Sequence, residues 1–293
     1  MFKDLQLKDK EIFTDYLKKY KFKSCEYSFT TLYMWRNRFN TKYDILNNIL
    51  IIKKEESEEV IYFMQPLSKN KFNIKEIIPL LKSISKGKYL FGDVEKEFLL
   101  YLINEFEEKI YGEIQKGNSD YIYVTGELLN LCGRKYNKKR NHCNCFMKNY
   151  KFEVLDVNRL YIVNDSIKFC EEWYEMKNNK SDALKYELEG IKDILINKEF
   201  LNLDAMAIYI DGKIQGLTIG ENINNEMAII HVEKCNKKYN GIYSFINREF
   251  VRRYYKNVKY VNRQDDMGIL GLRNAKLSYF PRRLEKKYKI KFL

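Results

Sequence analysis

One of only two histidines in this chain of 293 residues, His231, stands two positions before Glu233 near the end of a stretch that reads as a strand. Strand periodicity places these two side chains on one face, opposite Ala228, Ile230 and Val232. An imidazole or carboxylate there can take a proton from an attacking nitrogen or oxygen. A structural hydrogen-bonded pair at a strand end would use the same residues. Downstream, Asn262, Arg263, Asp265 and Asp266 fall where a strand gives way to a helix, a position at which open α/β sheets build sites. The aspartates can hold an ammonium group or cap the helix, and Arg263 can pair with a carboxylate or phosphate. Tyr279 can return a proton to a leaving group.

A second group is set up to meet an anion. Gly241 opens a long helical stretch, and Lys234, Lys237 and Lys238 precede it. Free N–H groups and the dipole at a helix start favour negative charge, and the ammonium groups add to it. Gly241 can equally be an ordinary N-cap. A third group is Arg134, Lys135, Lys138, Lys139 and Arg140, within a run from 128 to 152 that contains no acidic residue. Helical spacing gathers these cations into one patch, suited to polyanion phosphates or to a solvated surface. The net charge of +13 also favours a polyanionic partner, whether tRNA, a nucleotide or an acidic lipid surface.

Two lobes are expected to carry these groups. In the first half, helical spacing predicts helices over 8–20 and 28–39, and three short strands follow over 43–45, 50–53 and 60–64. A helix over 74–85, a strand over 89–92, a helix over 95–107 and a strand over 121–124 complete it. The second half repeats this order. A strand over 152–156 leads to helices over 166–177 and 183–197, then to strands over 205–210, 213–221 and 226–233. These last are joined by the tight-turn pairs Asp211-Gly212 and Asn224-Asn225. A helix over 241–255, a strand over 259–262, a helix over 268–276 and a strand over 284–290 follow. The expectation is an α/β protein of the α+β, mixed-sheet kind. Its N-terminal lobe is 1–127, a basic connecting helix spans 128–151, and a C-terminal lobe at 152–293 holds the site.

Composition limits the rest. No stretch approaches the roughly 20 apolar residues of a membrane-spanning helix, and residues 1–10 lack the apolar core of a secretory signal, so a cytoplasmic location is expected. The six cysteines, Cys25, Cys132, Cys143, Cys145, Cys170 and Cys235, are scattered in a chain large enough to need no disulfides. The spacing of Cys132, His142, Cys143 and Cys145 does not match paired zinc ligands, and no metal is expected.

The strings DYIY at 120–123, GRKYNKKRNH at 133–142, HVEK at 231–234, GIY at 241–243, NRQDDMG at 262–268 and GLRNAKLSY at 271–279, with Pro281, resemble a bacterial family. It is the family related to the C-terminal domain of phosphatidylglycerol lysyltransferases. The resemblance implies a tandem pair of Gcn5-related N-acetyltransferase (GNAT) folds. It also implies acyl or aminoacyl transfer from aminoacyl-tRNA or acyl-CoA to an amine or hydroxyl acceptor, with no tightly bound cofactor. Within the matching strings, His231, Glu233, Asp265, Asp266 and Tyr279 are then the catalytic candidates. Lys234, Lys237, Lys238, Asn240, Gly241 and Tyr243 form the donor site, and Asn262, Arg263, Arg273 and Lys276 the substrate site. The loop over 66–73 contains no glycine, which suggests a degenerate first lobe. Non-catalytic binding of tRNA or of an anionic membrane surface is the alternative.

Overall fold

Pairs of left-handed residues fix the register of two hairpins. Asn47 and Asn48 have φ of 50° and 63°, and Asp211 and Gly212 have φ of 51° and 72°, as a two-residue turn matched to strand twist requires. They place Leu46 opposite Ile49 and Ile210 opposite Lys213. A computed structural model describes residues 1–107, 109–177 and 180–293. The chain forms two units, Met1–Ser119 with Glu285–Leu293, and Asp120–Leu284.

In the first unit the strands are β1 (Lys3–Asp4), β2 (Lys42–Leu46), β3 (Ile49–Ser57), β4 (Val60–Phe63), β5 (Leu67–Ser68), β6 (Phe91–Val94) and β7 (Ile110–Ile114). The sheet runs β1-β2-β3-β4-β6, then the last strand of the chain, Tyr288–Phe292, then β7, with β5 beside β3. Helices α1 (Lys10–Leu17), α2 (Phe29–Met34), α3 (Ile78–Ile84) and α4 (Lys96–Glu105) accompany it. Ile51, Phe63, Leu81, Phe91, Leu102 and Ile290 form its core. Each such side chain contributes about 1.5–3 kcal/mol on full burial.

The second unit begins one strand earlier than the sequence suggests. Its strands are β8 (Asp120–Val124), β9 (Glu153–Asp156), β10 (Asp204–Ile210), β11 (Lys213–Asn222), β12 (Met227–Cys235), β13 (Tyr260–Asn262) and β14 (Arg283–Glu285), in the order β14-β8-β13-β12-β11-β10-β9. β12 and β13 pair in parallel, whereas β9 with β10, β10 with β11, β11 with β12 and β13 with β8 pair antiparallel. The expected boundary at 127/128 therefore falls inside this unit, because β8 pairs antiparallel with β13, Val124 opposite Tyr260. The expected closing strand over 284–290 divides likewise, β14 lying beside β8 and Tyr288–Phe292 in the other sheet.

The expected connecting helix over 128–151 is two helices, α5 (Thr125–Asn130) and α6 (Asn137–Asn149), both belonging to the second unit. Leu131, at φ 49°, ends α5. The remaining helices are α7 (Leu160–Glu175), α8 (Asp182–Ile196), α9 (Lys198–Leu201), α10 (Ile242–Tyr254) and α11 (Leu270–Leu277). Tyr123, Leu128, Phe146, Ile246, Phe250 and Tyr255 join α5, α6 and α10 to the sheet in one core.

Candidate active site in the second unit

The parallel pairing of β12 with β13 ends at Ile229 and Asn262, while β12 continues to Cys235. A β-bulge lies just beyond. Ile219 faces Val232 and Gly220 faces Ile230, so His231 is the extra residue. The bulge resets the side-chain alternation. Ala228 and Ile230 before it and Cys235 after it lie in the core shared with α10, and Glu233 reaches Asn247 of α10. The expected face opposition between Glu233 and Ile230 is thereby overturned.

Glu233 bridges to the end of β13. Its Oε1 accepts from Arg263 Nη2 at 2.7 Å and its Oε2 from Asn247 Nδ2 at 2.8 Å. Each oxygen retains acceptor capacity. The Arg263 side chain is only 10% exposed and its Nη1 is buried without a partner. Burial disfavours its charge, but Glu233 more than reverses this and lifts its pKa above the ordinary value. Aromatic rings wall the guanidinium, with Cζ 4.7 Å from the Tyr279 centroid and 5.6 Å from that of Tyr123. On the Tyr279 ring also sits the Lys139 ammonium, at 3.9 Å. Burial, reinforced by repulsion from Arg263, brings both Lys139 and Lys276 down to about 8. Lys276 donates to the carbonyls of Arg263 and Gln264. Burial pushes the Tyr279 phenol up to about 12, so it stays protonated, and its hydroxyl lies 3.4 Å from Ser244 Oγ.

Glu233, Arg263, Tyr279 and Lys276 are thus brought together, and Lys139 joins them from the basic group. Tyr123, Ser244 and Asn247 are additions. The signal for the last two was present in the sequence, as polar residues three apart on the apolar face of α10, where buried polar groups need partners.

The other candidates are placed elsewhere. His231 Nε2 lies 2.9 Å from Glu221 Oε1 and its Nδ1 3.0 Å from Gln264 Nε2, so both ring nitrogens are engaged and neither is open to act as a base. Asn262 donates to buried Asp120 and accepts from Gln264 N, which makes it a brace between β13 and β8. Asp266 accepts from Tyr121, Gly268 N and Arg273, so Asp266 and Arg273 hold each other. Burial raises the Asp266 pKa, but the Arg273 and Tyr121 hydrogen bonds outweigh it and the net shift is downward. Asp265 accepts from Met267 N in a local turn.

The expected anion seat at the start of α10 is covered. Gly241, at φ 88°, lies against α6 so closely that an added Cβ would stand 2.0 Å from the His142 carbonyl oxygen. Asn240 N donates to Tyr150 Oη and Ile242 N to the Tyr239 carbonyl. Lys234 is turned away, bonded to Glu187 at 2.9 Å and over the Trp173 ring at 3.8 Å. Tyr243 donates to the Cys235 carbonyl, while Lys237 and Lys238 are exposed. In the basic group, Arg140 donates to the carbonyls of Leu131 and Gly133, which follow α5, and Lys135 pairs with Glu127. Arg134 and Lys138 remain exposed.

Comparison with known proteins identifies the family and the fold. The family described as phosphatidylglycerol lysyltransferase, C-terminal, matches residues 17–291. A conserved protein of unknown function from Bacteroides thetaiotaomicron superposes with a TM-score of 0.90 at 29% identity, over 100% of this chain and 99% of that one. The structure of L-PGS from Bacillus licheniformis gives 0.66 at 15% identity, over 96% and 91%. A tandem GNAT protein from the clavulanic acid biosynthesis pathway gives 0.53 at 8%, over 99% and 97%, a likeness of fold alone. An uncharacterized protein of Mycoplasmoides gallisepticum is 30% identical over 186 residues, which are 61% of this chain and 58% of that protein's length. The chain therefore belongs to the phosphatidylglycerol lysyltransferase C-terminal family and carries its fold as a tandem of GNAT units.

Proposed function

We propose that the protein transfers an aminoacyl group from aminoacyl-tRNA to an amine or hydroxyl acceptor, in the cytoplasm where charged tRNA is made, using the Glu233–Arg263 cluster. The observation that carries this reading is the buried, unpartnered Arg263 Nη1 beside a carboxylate that retains acceptor capacity. As the acceptor atom attacks the ester carbonyl, Glu233 takes its proton and the new C–N or C–O bond forms. Arg263 Nη1 meets the oxygen on which negative charge develops. The ester C–O bond then breaks, and Tyr279 supplies the proton that the departing ribose oxygen needs. Reprotonation of Tyr279 by way of Glu233 closes the cycle. The cover that α6 places over the start of α10 supports tRNA over acyl-CoA as donor, because a diphosphate has no open row of amides there.

The test is discharge of tRNA bearing labelled amino acids, in the presence of a mixed extract of small amines, polyols and lipids, beside a parallel assay for release of CoA thiol from acyl-CoA. Accelerated tRNA discharge, reduced about 100-fold or more by Arg263→Met and by Glu233→Gln, supports the proposal. Thiol release without tRNA discharge would replace the donor. If neither donor is consumed while tRNA still binds, and Arg134→Glu with Lys138→Glu abolishes that binding, the protein is a polyanion binder.

A further inference from the structure

Lys139 holds a charge that its surroundings do not support. It stands in the first turn of α6, where the helix dipole favours negative groups, and that turn contains no acidic residue. Among the described residues no carboxylate pairs with its ammonium, which rests 3.9 Å from the centre of the Tyr279 ring. The same ring takes the Arg263 guanidinium at 4.7 Å. Of the groups around Lys139, Arg263 and Lys138 oppose its charge, while Glu233 and Cys143 favour it, and Glu233 is already bonded to Arg263 at 2.7 Å. Its neighbours on the chain are better provided for: Lys135 has Glu127, and Arg140 has the carbonyls of Leu131 and Gly133. Lys276 is held by the carbonyls of Arg263 and Gln264. A ring face offsets only about 0.5–2 kcal/mol of the cost of such a charge. The ammonium is relieved by losing its proton, and the neutral amine that remains is a nucleophile.

The cations that oppose the ammonium also draw an anionic electrophile. Arg134 and Lys138, just ahead of Lys139 in the chain, are exposed, and Lys139 itself is half-buried, which suits a small reagent better than a bulky nucleotide thioester. We propose that Lys139 is an acylation site of the protein, modified by small acyl phosphates. The amine attacks the acyl carbon and an N–C bond forms. The C–O bond to phosphate breaks, and inorganic phosphate leaves with the electron pair and takes up the proton that the amine gives up. The product is a neutral amide. It removes one of the two cations that share the Tyr279 ring and sets an acyl group in its place, so the modification changes the candidate active site from its wall. It concerns the chain itself and is read with neither tRNA nor acceptor present, and so stands apart from the transfer reading.

The test is to incubate the full chain with acetyl phosphate at pH 8 and to follow each lysine by peptide mass spectrometry. Lys138, next in the chain and exposed, is the internal reference. Burial, reinforced by Arg263, brings Lys139 down to about 8, so half of these amines are neutral at that pH. Of amines at the ordinary 10.5 about 0.3% are neutral, and the lower basicity of Lys139 gives back part of the advantage in nucleophilicity. Lys139 should therefore react about tenfold faster than Lys138, with a pH midpoint near 8, and the difference should vanish in concentrated urea. Arg263→Met should slow Lys139 at pH 8, because without the repulsion more of the amine is protonated. The proposal is overturned if Lys139 reacts no faster than Lys138 in the folded chain, if the difference persists in urea, or if the midpoint is that of an ordinary lysine. It is overturned as well if a folded Arg263→Met leaves the rate unchanged, or if acetyl-CoA modifies Lys139 where acetyl phosphate does not.

Discussion

Two glycines, both in left-handed turns, offer a controlled measurement of how firmly α6 sits on α10. Gly212, in the hairpin turn, has φ 72° with nothing within 4 Å of a built Cβ. Gly241 has φ 88°, and its Cβ would lie 2.0 Å from the His142 oxygen, 2.8 Å from the His142 carbonyl carbon and 3.2 Å from the Phe146 Cβ. Gly212→Ala therefore bears only the left-handed penalty of an L-residue, about 1–2 kcal/mol. Gly241→Ala bears the same penalty and must also displace a backbone carbonyl inside a helix. Overpacking of that kind adds about 1–3 kcal/mol, for a total of about 2–5 kcal/mol.

Urea unfolding measures the difference. The two tryptophans, Trp35 and Trp173, lie one in each unit, so Trp35→Phe leaves Trp173 as the reporter of the second unit. Gly241→Ala should lower the urea midpoint clearly more than Gly212→Ala, with the slope unchanged. Equal midpoints would refute the reasoning. They would mean that α6 does not cover the start of α10, and the argument against a diphosphate seat would go with it.

Four further outcomes are expected. Lys139 and Lys276 titrate near 8 in the folded protein against an ordinary 10.5, so between those values the unfolded chain holds more protons; stability of the second unit should rise from pH 8 to 10, and Lys276→Met should flatten part of that rise in urea midpoints. In the first unit, burial, helped by Glu285 and Glu97, brings Glu95 up to about 7 from 4.5. The folded state there holds the extra proton, so stability should fall as pH rises across that interval, and Glu95→Gln should remove the slope. His231→Leu removes the hydrogen bonds of the buried imidazole to Glu221 and Gln264 and should cost about 1–3 kcal/mol at Trp173, with a smaller effect on tRNA discharge per folded molecule than Glu233→Gln has. Ile290→Ala, at a fully buried position, should cost about 2–4 kcal/mol and register at Trp35, not at Trp173.

The order of helices and strands was legible because periodicity and turn pairs such as Asp211-Gly212 are local signals. Pairing partners were not. Nothing near Asp120 states that its strand will join Val261, and nothing near Ile290 points to Phe91. The candidate site was half legible. Glu233, Arg263, Lys276 and Tyr279 could be picked out by residue type, but the bulge at His231 could not, and it inverts the face argument by inserting a single residue. Lys139 was read as surface charge because a helical wheel does not show which side meets an aromatic ring. Lys234 failed for the mirror reason, being buried among Glu187 and Trp173 where a loop cation was expected.

The final strand, Tyr288–Phe292, lies between β6 and β7 in a sheet whose other strands all precede residue 115. On the ribosome, the first unit thus emerges with a slot in its sheet that only a segment made after the second unit can fill. The second unit has every strand but the tail to itself and is free to fold while that slot stays open. A nascent first unit carries unsatisfied backbone edges on both sides of the slot for the whole time that the second unit is being synthesised, which makes this half the more dependent on chaperones.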